Sequence, residues 1–186
     1  RIAEGLLDVT NVNVSVNVTD NAGNSVQLTD SSNASVDSKS PTVNAVTIPN
    51  QPVAVGDTVI VTISASEAGL TWLSGSNTVN GRSLDSFTDN GDHTYTASFD
   101  LQEGDNSVTA ANDVSVDLAL QDAAGNSVTY NTSISQNGDE IDANTPIITN
   151  VSFDQTSVNI DNKSSLSVSV ASSEQGMVNY SISSSA

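Results

Sequence analysis

The side chains of this chain best equipped for chemistry are oxygen ligands. Asp and Glu total 22, Lys and Arg total four, histidine occurs once and cysteine is absent. One acidic, glycine-centred stretch occurs twice, as "VTDNAGNSV" at 18–26 and "LQDAAGNSV" at 120–128. Carboxylates and amide carbonyls are hard-oxygen donors that suit a divalent cation, above all calcium, which takes several such ligands in flexible geometry. Magnesium wants a stricter octahedron, and zinc usually recruits His or Cys. The plainer reading of Asp-x-Ala-Gly-Asn is a β-turn whose Asp caps its own backbone, with the glycine allowing the tight bend.

The formal charge of −18 bears on partners. Nucleic acid is a poor one, because phosphate binding relies on Lys and Arg. An anionic membrane is repelled for the same reason. The charge then serves either solubility or cation binding. Without cysteine there is no disulfide framework and no thiolate metal site, and cysteine usage says nothing of compartment. No apolar run is long enough to span a bilayer and no signal-peptide pattern is present. The chain reads as a window of a longer protein. An enzyme is not expected: there is no nucleophile–base pattern and no Gly-x-Ser-x-Gly. Paired carboxylates can hydrolyse glycosides, but nothing in the pattern encloses a pocket.

The elements that must position these residues follow from the repeat. "VNVSVNVTDNAGNSV" (12–26) aligns with "VSVDLALQDAAGNSV" (114–128). Glu4-Gly5 matches Glu103-Gly104, and "VDSKSPTV" (36–43) matches "IDANTPII" (141–148). "VIVTISAS" (59–66) is echoed by "LSVSVASS" (166–173), and "SEAG" (66–69) by "SEQG" (173–176). A unit of about a hundred residues is therefore expected once in full, at 37–142. Residues 1–36 read as the C-terminal part of a preceding unit, and residues 143–186 as the N-terminal part of a following one. Such an array stacks domains in one dimension. The two flanks carry complementary strands of one unit, so pairing within or between molecules, as in domain swapping, is open to them.

The Val and Thr excess favours strands, and no stretch keeps a helical apolar period. Strands are expected at about 42–48, 58–66, 69–73, 84–88, 94–100, 113–121 and 127–135, with Gly, Asn and Asp turns between them. That predicts an all-β chain of seven-stranded, immunoglobulin-like β-sandwich repeats in tandem. Val59, Val61, Ile63, Ala65, Tyr95, Ala97, Phe99, Val114, Val116, Leu118 and Leu120 should face inward. "TDNGDHTYTASF" (88–99) signals a hairpin. Trp72 is expected in the core or on a sheet face, and Met177 in packing; His93 sits in a turn and receives no role.

Tracing strand directions in such a sandwich brings three acidic elements to one pole. The linker before the first strand holds Asp37, the loop after the second holds Glu67, and the loop after the sixth holds Asp122 through Asn126. Calcium at each domain junction is the expected result, with carboxylates from Asp37, Glu67 and Asp122 and a neutral oxygen from Asn126. Asp142 and Glu174 are the counterparts at the next junction, and Asp20 is the counterpart of Asp122.

At these residues the chain is similar to a known group. The set "EGDNSVTA…DAAGNSV", "DNGDHTYTASF", "DANTPIIT" and "SASEAG" resembles the bacterial immunoglobulin-like repeats of very large surface adhesins. These include biofilm-associated proteins and the extender regions of repeats-in-toxin adhesins. The resemblance covers nearly the whole chain. It implies an extracellular spacer on the bacterial cell surface whose partners are neighbouring repeats of the same chain. It implies calcium at the junctions and no membrane insertion. A glycan or host-surface ligand would be met by other domains. The carry-over reaches Asp37, Glu67, Asp122, Asp142 and Glu174. His93 departs from the glycine common at that hairpin position, which argues that Asp89 and Asp92 are turn residues. The competing expectation is a carbohydrate- or protein-binding module on the same scaffold. Clustered exposed aromatics would favour it, and Trp72, Tyr130 and Tyr180 show no evident cluster.

Overall fold

Period-two alternation of apolar and polar residues runs through the strands, and no helix occurs among the described residues. The computed structural model describes residues 3–5, 7–75, 77–135, 138–161 and 166–183. The chain divides into two compact units, residues 1–143 and 144–186.

The first unit opens with a long antiparallel hairpin, β1 (Asp8–Thr19) and β2 (Ser25–Asp37). Its body then builds a four-stranded sheet from β3 (Val43–Thr47), β5 (Thr58–Ala65), β9 (Asp85–Asp89) and β10 (Thr94–Asp100), in the order β3–β5–β10–β9. A second sheet has the order β13–β12–β7–β8, formed by β7 (Thr78–Val79), β8 (Arg82–Ser83), β12 (Val116–Gln121) and β13 (Ser127–Tyr130). The short β6 (Thr71–Trp72) also pairs with β12. Two further pairs complete the body: β11 (Asp113–Val114) with β14 (Ile134–Ser135), and the parallel pair β4 (Val53–Ala54) with β15 (Ile141–Asp142).

The inward residues of both sheets form one apolar core, giving a sandwich-like all-β body. Val59, Val61, Ile63 and Ala65 alternate inward on β5, and Tyr95, Ala97 and Phe99 do so on β10. Val116, Leu118 and Leu120 meet them from β12, joined by Val114 and Val79. Each fully buried side chain of this size is worth about 1.5–3 kcal/mol over exposure, which is why register is held here. A one-residue slip would turn the whole set to solvent. The inward residues are those the alternation predicts, and every expected strand has a counterpart, although 113–121 divides into β11 and β12 and 127–135 into β13 and β14. β4, β7, β8 and β15 were not foreseen. The β7–β8 hairpin turns on Asn80 and Gly81, with φ of 54° and 75°, the conformation a two-residue turn needs. A Cβ at Gly81 would stand 2.9 Å from Asn106 Nδ2, the atom that donates back to Asn80 O.

The hairpin between β9 and β10 confirms its turn residues. His93 has φ of 68°, a conformation that glycine adopts freely and histidine adopts at a cost. Asp89 accepts from the backbone N–H of Gly91 and of Gly69, and Asp92 accepts from that of Thr94.

The second unit contains the antiparallel pair β16 (Ile148–Phe153) and β17 (Val168–Ser172). Its register repeats that of β3 and β5. Val46 faces Ile63 as Val151 faces Val170, and Val43 faces Ala65 as Ile148 faces Ser172. Both pairs break register at the same step, between Val43 and Ala45 and between Ile148 and Asn150. Met177 corrects the expectation of packing: it is 90% exposed, beyond the β16–β17 pair, and none of the described residues covers it.

Candidate functional site

The repeated pentapeptide folds into the same turn both times. In the first copy Asp20 Oδ1 accepts from the backbone N–H of Ala22 and Asn24, and Oδ2 accepts from Asn24 Nδ2. In the second, Asp122 Oδ1 accepts from Ala124 and Asn126, and Oδ2 from Asn126 Nδ2. The backbone closes identically, Asp20 N–H to Asn24 O at 2.9 Å and Asp122 N–H to Asn126 O at 3.0 Å. Gly23 and Gly125 take φ of 92° and 91°, which is why glycine stands at that position. Each Asp thus satisfies donors that the turn would otherwise leave open.

What surrounds the two turns differs. The 20–24 turn is exposed throughout, at the tip of the β1–β2 hairpin. Asp122 is buried, and Asn126 Nδ2 also reaches Asp37 O at 3.3 Å. The linker after β2 is fastened from other sides. Ser38 exchanges bonds with Leu7, its N–H and Oγ both donating to Leu7 O and its Oγ accepting from the Leu7 N–H. The Glu4 carboxylate accepts from Ser40 N–H and Ser40 Oγ, and Pro41 is fully buried.

The loop after β5 comes to the same pole. Ser66 N–H donates to Thr42 O, and Thr42 N–H donates to Ser66 Oγ. The Tyr95 hydroxyl donates to Glu67 O at 2.8 Å and accepts from Leu70 N–H at 3.0 Å, so a buried side chain holds the Glu67 loop. Burial raises the Tyr95 hydroxyl above its usual range, with Asp89 and Glu67 adding to the shift and the Leu70 bond opposing it. The Glu67 carboxyl is also held above its ordinary value, first by burial, then by the negative charges of Asp122 and Asp37. Asp8 adds to that effect and Lys39 opposes it.

Asp37, Glu67, Asp122 and Asn126 are therefore brought to one pole of the body, against the linker. Asp8 joins them, because it pairs directly with Asp37 across the hairpin. Like charges directly opposite one another are unfavourable, and no sequence signal marked Asp8, since its place follows from hairpin register. Asp20 lies elsewhere: β1 separates it from Asp8 by the length of the hairpin. Asp142 is half-buried in β15 at the opposite pole, where Gly104 N–H donates to Ala143 O. Glu174, in the second unit, is half-buried. Among the described residues no three His, Cys, Asp or Glu side chains stand close enough to grip an ion as they are placed.

Trp72, unclustered in the linear pattern, belongs to an aromatic row. Its ring centroid lies 4.0 Å from that of Phe87, which stacks on Tyr95 at 4.9 Å. Trp72 and Phe87, with Asp85 and Asp89, line an open cleft of about 620 Å³.

No family model, no curated protein and no solved structure matches this chain. No helix among the described residues is long and apolar enough to cross a membrane.

Proposed function

We propose that this chain is a structural extender of a bacterial cell-surface adhesin, made of immunoglobulin-like repeats and stiffened by calcium at the domain junctions. In this reading the array is extracellular and holds a distal binding domain away from the cell for adhesion or biofilm formation. The strand orders β3–β5–β10–β9 and β13–β12–β7–β8 support the immunoglobulin-like assignment, the first with its four strands in one sheet and the second in the other. The carrying observation is the gathering of Asp37, Asp122 and Asp8 around Glu67, whose carboxyl is raised first by burial and then by these like charges.

The donor chemistry fits calcium: Asp8, Asp37, Glu67 and Asp122 offer carboxylates and Asn126 an amide, with the Lys39 ammonium opposing their charge at Glu67. Asp37, Glu67 and Asp122 would hold the ion with carboxylates, and Asn126 would add a carbonyl oxygen. The ion would supply positive charge where the fold has collected negative charge. Asp122 and Asn126 are already fixed by their turn, and Asp37 Oδ1 accepts from the Lys39 N–H, so Glu67 is the side chain left to close on it.

Magnitude limits the role. Extracellular calcium modules bind at about 10⁻⁴–10⁻³ M. At ten times the dissociation constant one site adds about 1.4 kcal/mol. That is small against a domain's fold and sufficient to fix a junction, since interdomain contacts are weak by default. Small-angle scattering of the dilute chain in calcium and in chelator tests this directly. A longer maximum dimension in calcium, lost in Glu67→Gln, is expected. Equal extension in the two conditions would overturn the junction mechanism.

The competing reading, a carbohydrate- or protein-binding module, draws on the Trp72 cleft. It has less support, because Trp72 packs its ring against Phe87.

A further inference from the structure

The segment from Asp37 to Thr42, which leads from β2 into β3, is gripped from two sides. The body holds its two ends. Asp37 O accepts from Asn126 Nδ2 at 3.3 Å, and Thr42 exchanges bonds with Ser66. The base of the β1–β2 hairpin holds its middle. Ser38 O accepts from the Gly5 N–H at 2.6 Å, and Ser38 Oγ accepts from the Leu7 N–H at 3.0 Å. Ser38 N–H and Oγ both donate to Leu7 O. Ser40 N–H and Oγ donate to the two oxygens of the Glu4 carboxylate, at 2.7 and 2.9 Å. All of these residues lie within one compact unit.

Burial matches the bonding. Ser38 is 7% exposed, and Pro41 is fully buried with its φ fixed by the ring. A segment so packed differs from a flexible Ser-rich linker, whose backbone is free in solvent. Part of the same arrangement recurs within the body. Gly104 N–H donates to Ala143 O at 2.8 Å, as Gly5 does to Ser38, and Val108 pairs with Ile141 as Val9 pairs with Val36. Ala143 is buried, like Ser38.

We infer that Glu4, Gly5 and Leu7 form a metal-free clasp on Ser38 and Ser40 that fixes the β1–β2 hairpin to the body. Glu4 is its charged member. Hydrogen bonds to an ionised carboxylate are stronger than neutral ones, and taking both donors of one residue sets direction as well as strength. The clasp spends none of the carboxylates of Asp37, Glu67 and Asp122. It is therefore a second lock on the same joint, independent of the ion proposed above. The two locks fail separately: the clasp is tested in chelator, the ion by adding calcium.

The chain has no cysteine, so Thr10→Cys near the hairpin base and Thr62→Cys on β5, both exposed, place two spin labels without competition. In chelator the full chain should give one narrow distribution of label distances. Glu4→Ala removes both acceptors of Ser40 and should broaden it, with amide exchange at Ser40 faster by about tenfold. Glu4→Gln keeps a carbonyl acceptor and should restore much of the narrowness. Glu4 is exposed, so the urea midpoint of the body should not move. A broad distribution without the substitution would overturn the inference. So would equal widths and equal Ser40 exchange with Glu4 and with Ala at that position. A lowered urea midpoint in Glu4→Ala would overturn it too, because Glu4 would then support the fold and not the joint. Failure of calcium to lengthen the chain would strike the ion site alone.

Discussion

The turn at 20–24 and the turn at 122–126 make the same five hydrogen bonds from the same residue types. One is open to solvent at a hairpin tip, and the other is covered by the linker that follows β2. In the exposed copy, the Asn24 side chain is the first cause of an Asp20 carboxyl held below its usual range. In the covered copy, the acceptor set is the same but the carboxylate also raises the Glu67 carboxyl beside it. A short sequence thus fixes the turn, while its place in the fold decides whether the turn meets other charges. The same contrast separates β1 from β12, which share a hairpin register beside the repeated turn, the valines of β1 being exposed and the apolar residues of β12 buried.

Asp→Ala in each turn should break this comparison most strongly. Asp122→Ala strands the N–H groups of Ala124 and Asn126 and the Asn126 amide in partly buried surroundings. Leaving such donors unpaired costs about 1–3 kcal/mol, and urea unfolding should show a loss of that size. Asp20→Ala removes the same bonds where water replaces them. Its effect should be confined to faster amide exchange at Ala22 and Asn24, with the urea midpoint of the body unchanged. Equal losses at the two positions would mean that burial does not separate the turns.

Tyr95→Phe should have a smaller effect that reaches the site from below. The substitution keeps the stack on Phe87 and removes only the hydroxyl that donates to Glu67 O and accepts from Leu70 N–H. A typical hydrogen bond contributes about 0.5–1.5 kcal/mol net. A urea midpoint lowered by about 1 kcal/mol is expected, together with faster exchange at Leu70. Calcium-dependent extension should weaken in parallel, because the Glu67 loop loses its anchor. Unchanged exchange at Leu70 would show that the loop is held by its bonds to Thr42 instead.

Much of this arrangement was legible in the residues, for reasons that are local. Alternation on β5, β10 and β12 named the core, because a half-buried strand can satisfy only one face. The pentapeptide named its turn, because Asp, Gly and Asn act on their own backbone. Pairings made across the chain were not legible. β4 meets β15 as a two-residue parallel pair with no pattern to announce it. Asn80 and Asn106 exchange side-chain bonds with each other's carbonyls across 26 residues. Asp8 reaches the acidic pole only through hairpin register, and the Tyr95 hydroxyl reaches Glu67 only once both sheets are folded. Met177 misled because an apolar side chain predicts a partner, and none of the described residues covers it.

The smallest effect, and the sharpest contrast between the two turns, should come from Glu67, since Asp20 has no such neighbour among the causes acting on it. Its folded carboxyl lies above the unfolded value of 4.5. A raised carboxyl pKa means the folded state holds its proton more tightly than the unfolded state does. The group therefore favours folding when protonated. That contribution fades as pH rises from the unfolded value through the raised one, and at neutral pH Glu67 opposes the fold. Glu67→Gln in chelator should accordingly stabilise the body slightly at pH 7 and leave it unchanged below the unfolded value. Under the proposed calcium site the sign reverses, because an ion competes with the proton for the same oxygens. In wild type, apparent calcium affinity should fall as pH is lowered through the raised Glu67 range. In Glu67→Gln both the affinity and its pH dependence should drop. Calorimetric titration at pH 7 and at pH 5 separates the outcomes. A Glu67→Gln chain that is less stable in chelator at pH 7 would mean that Lys39, and not the carboxylates around it, sets the state of Glu67.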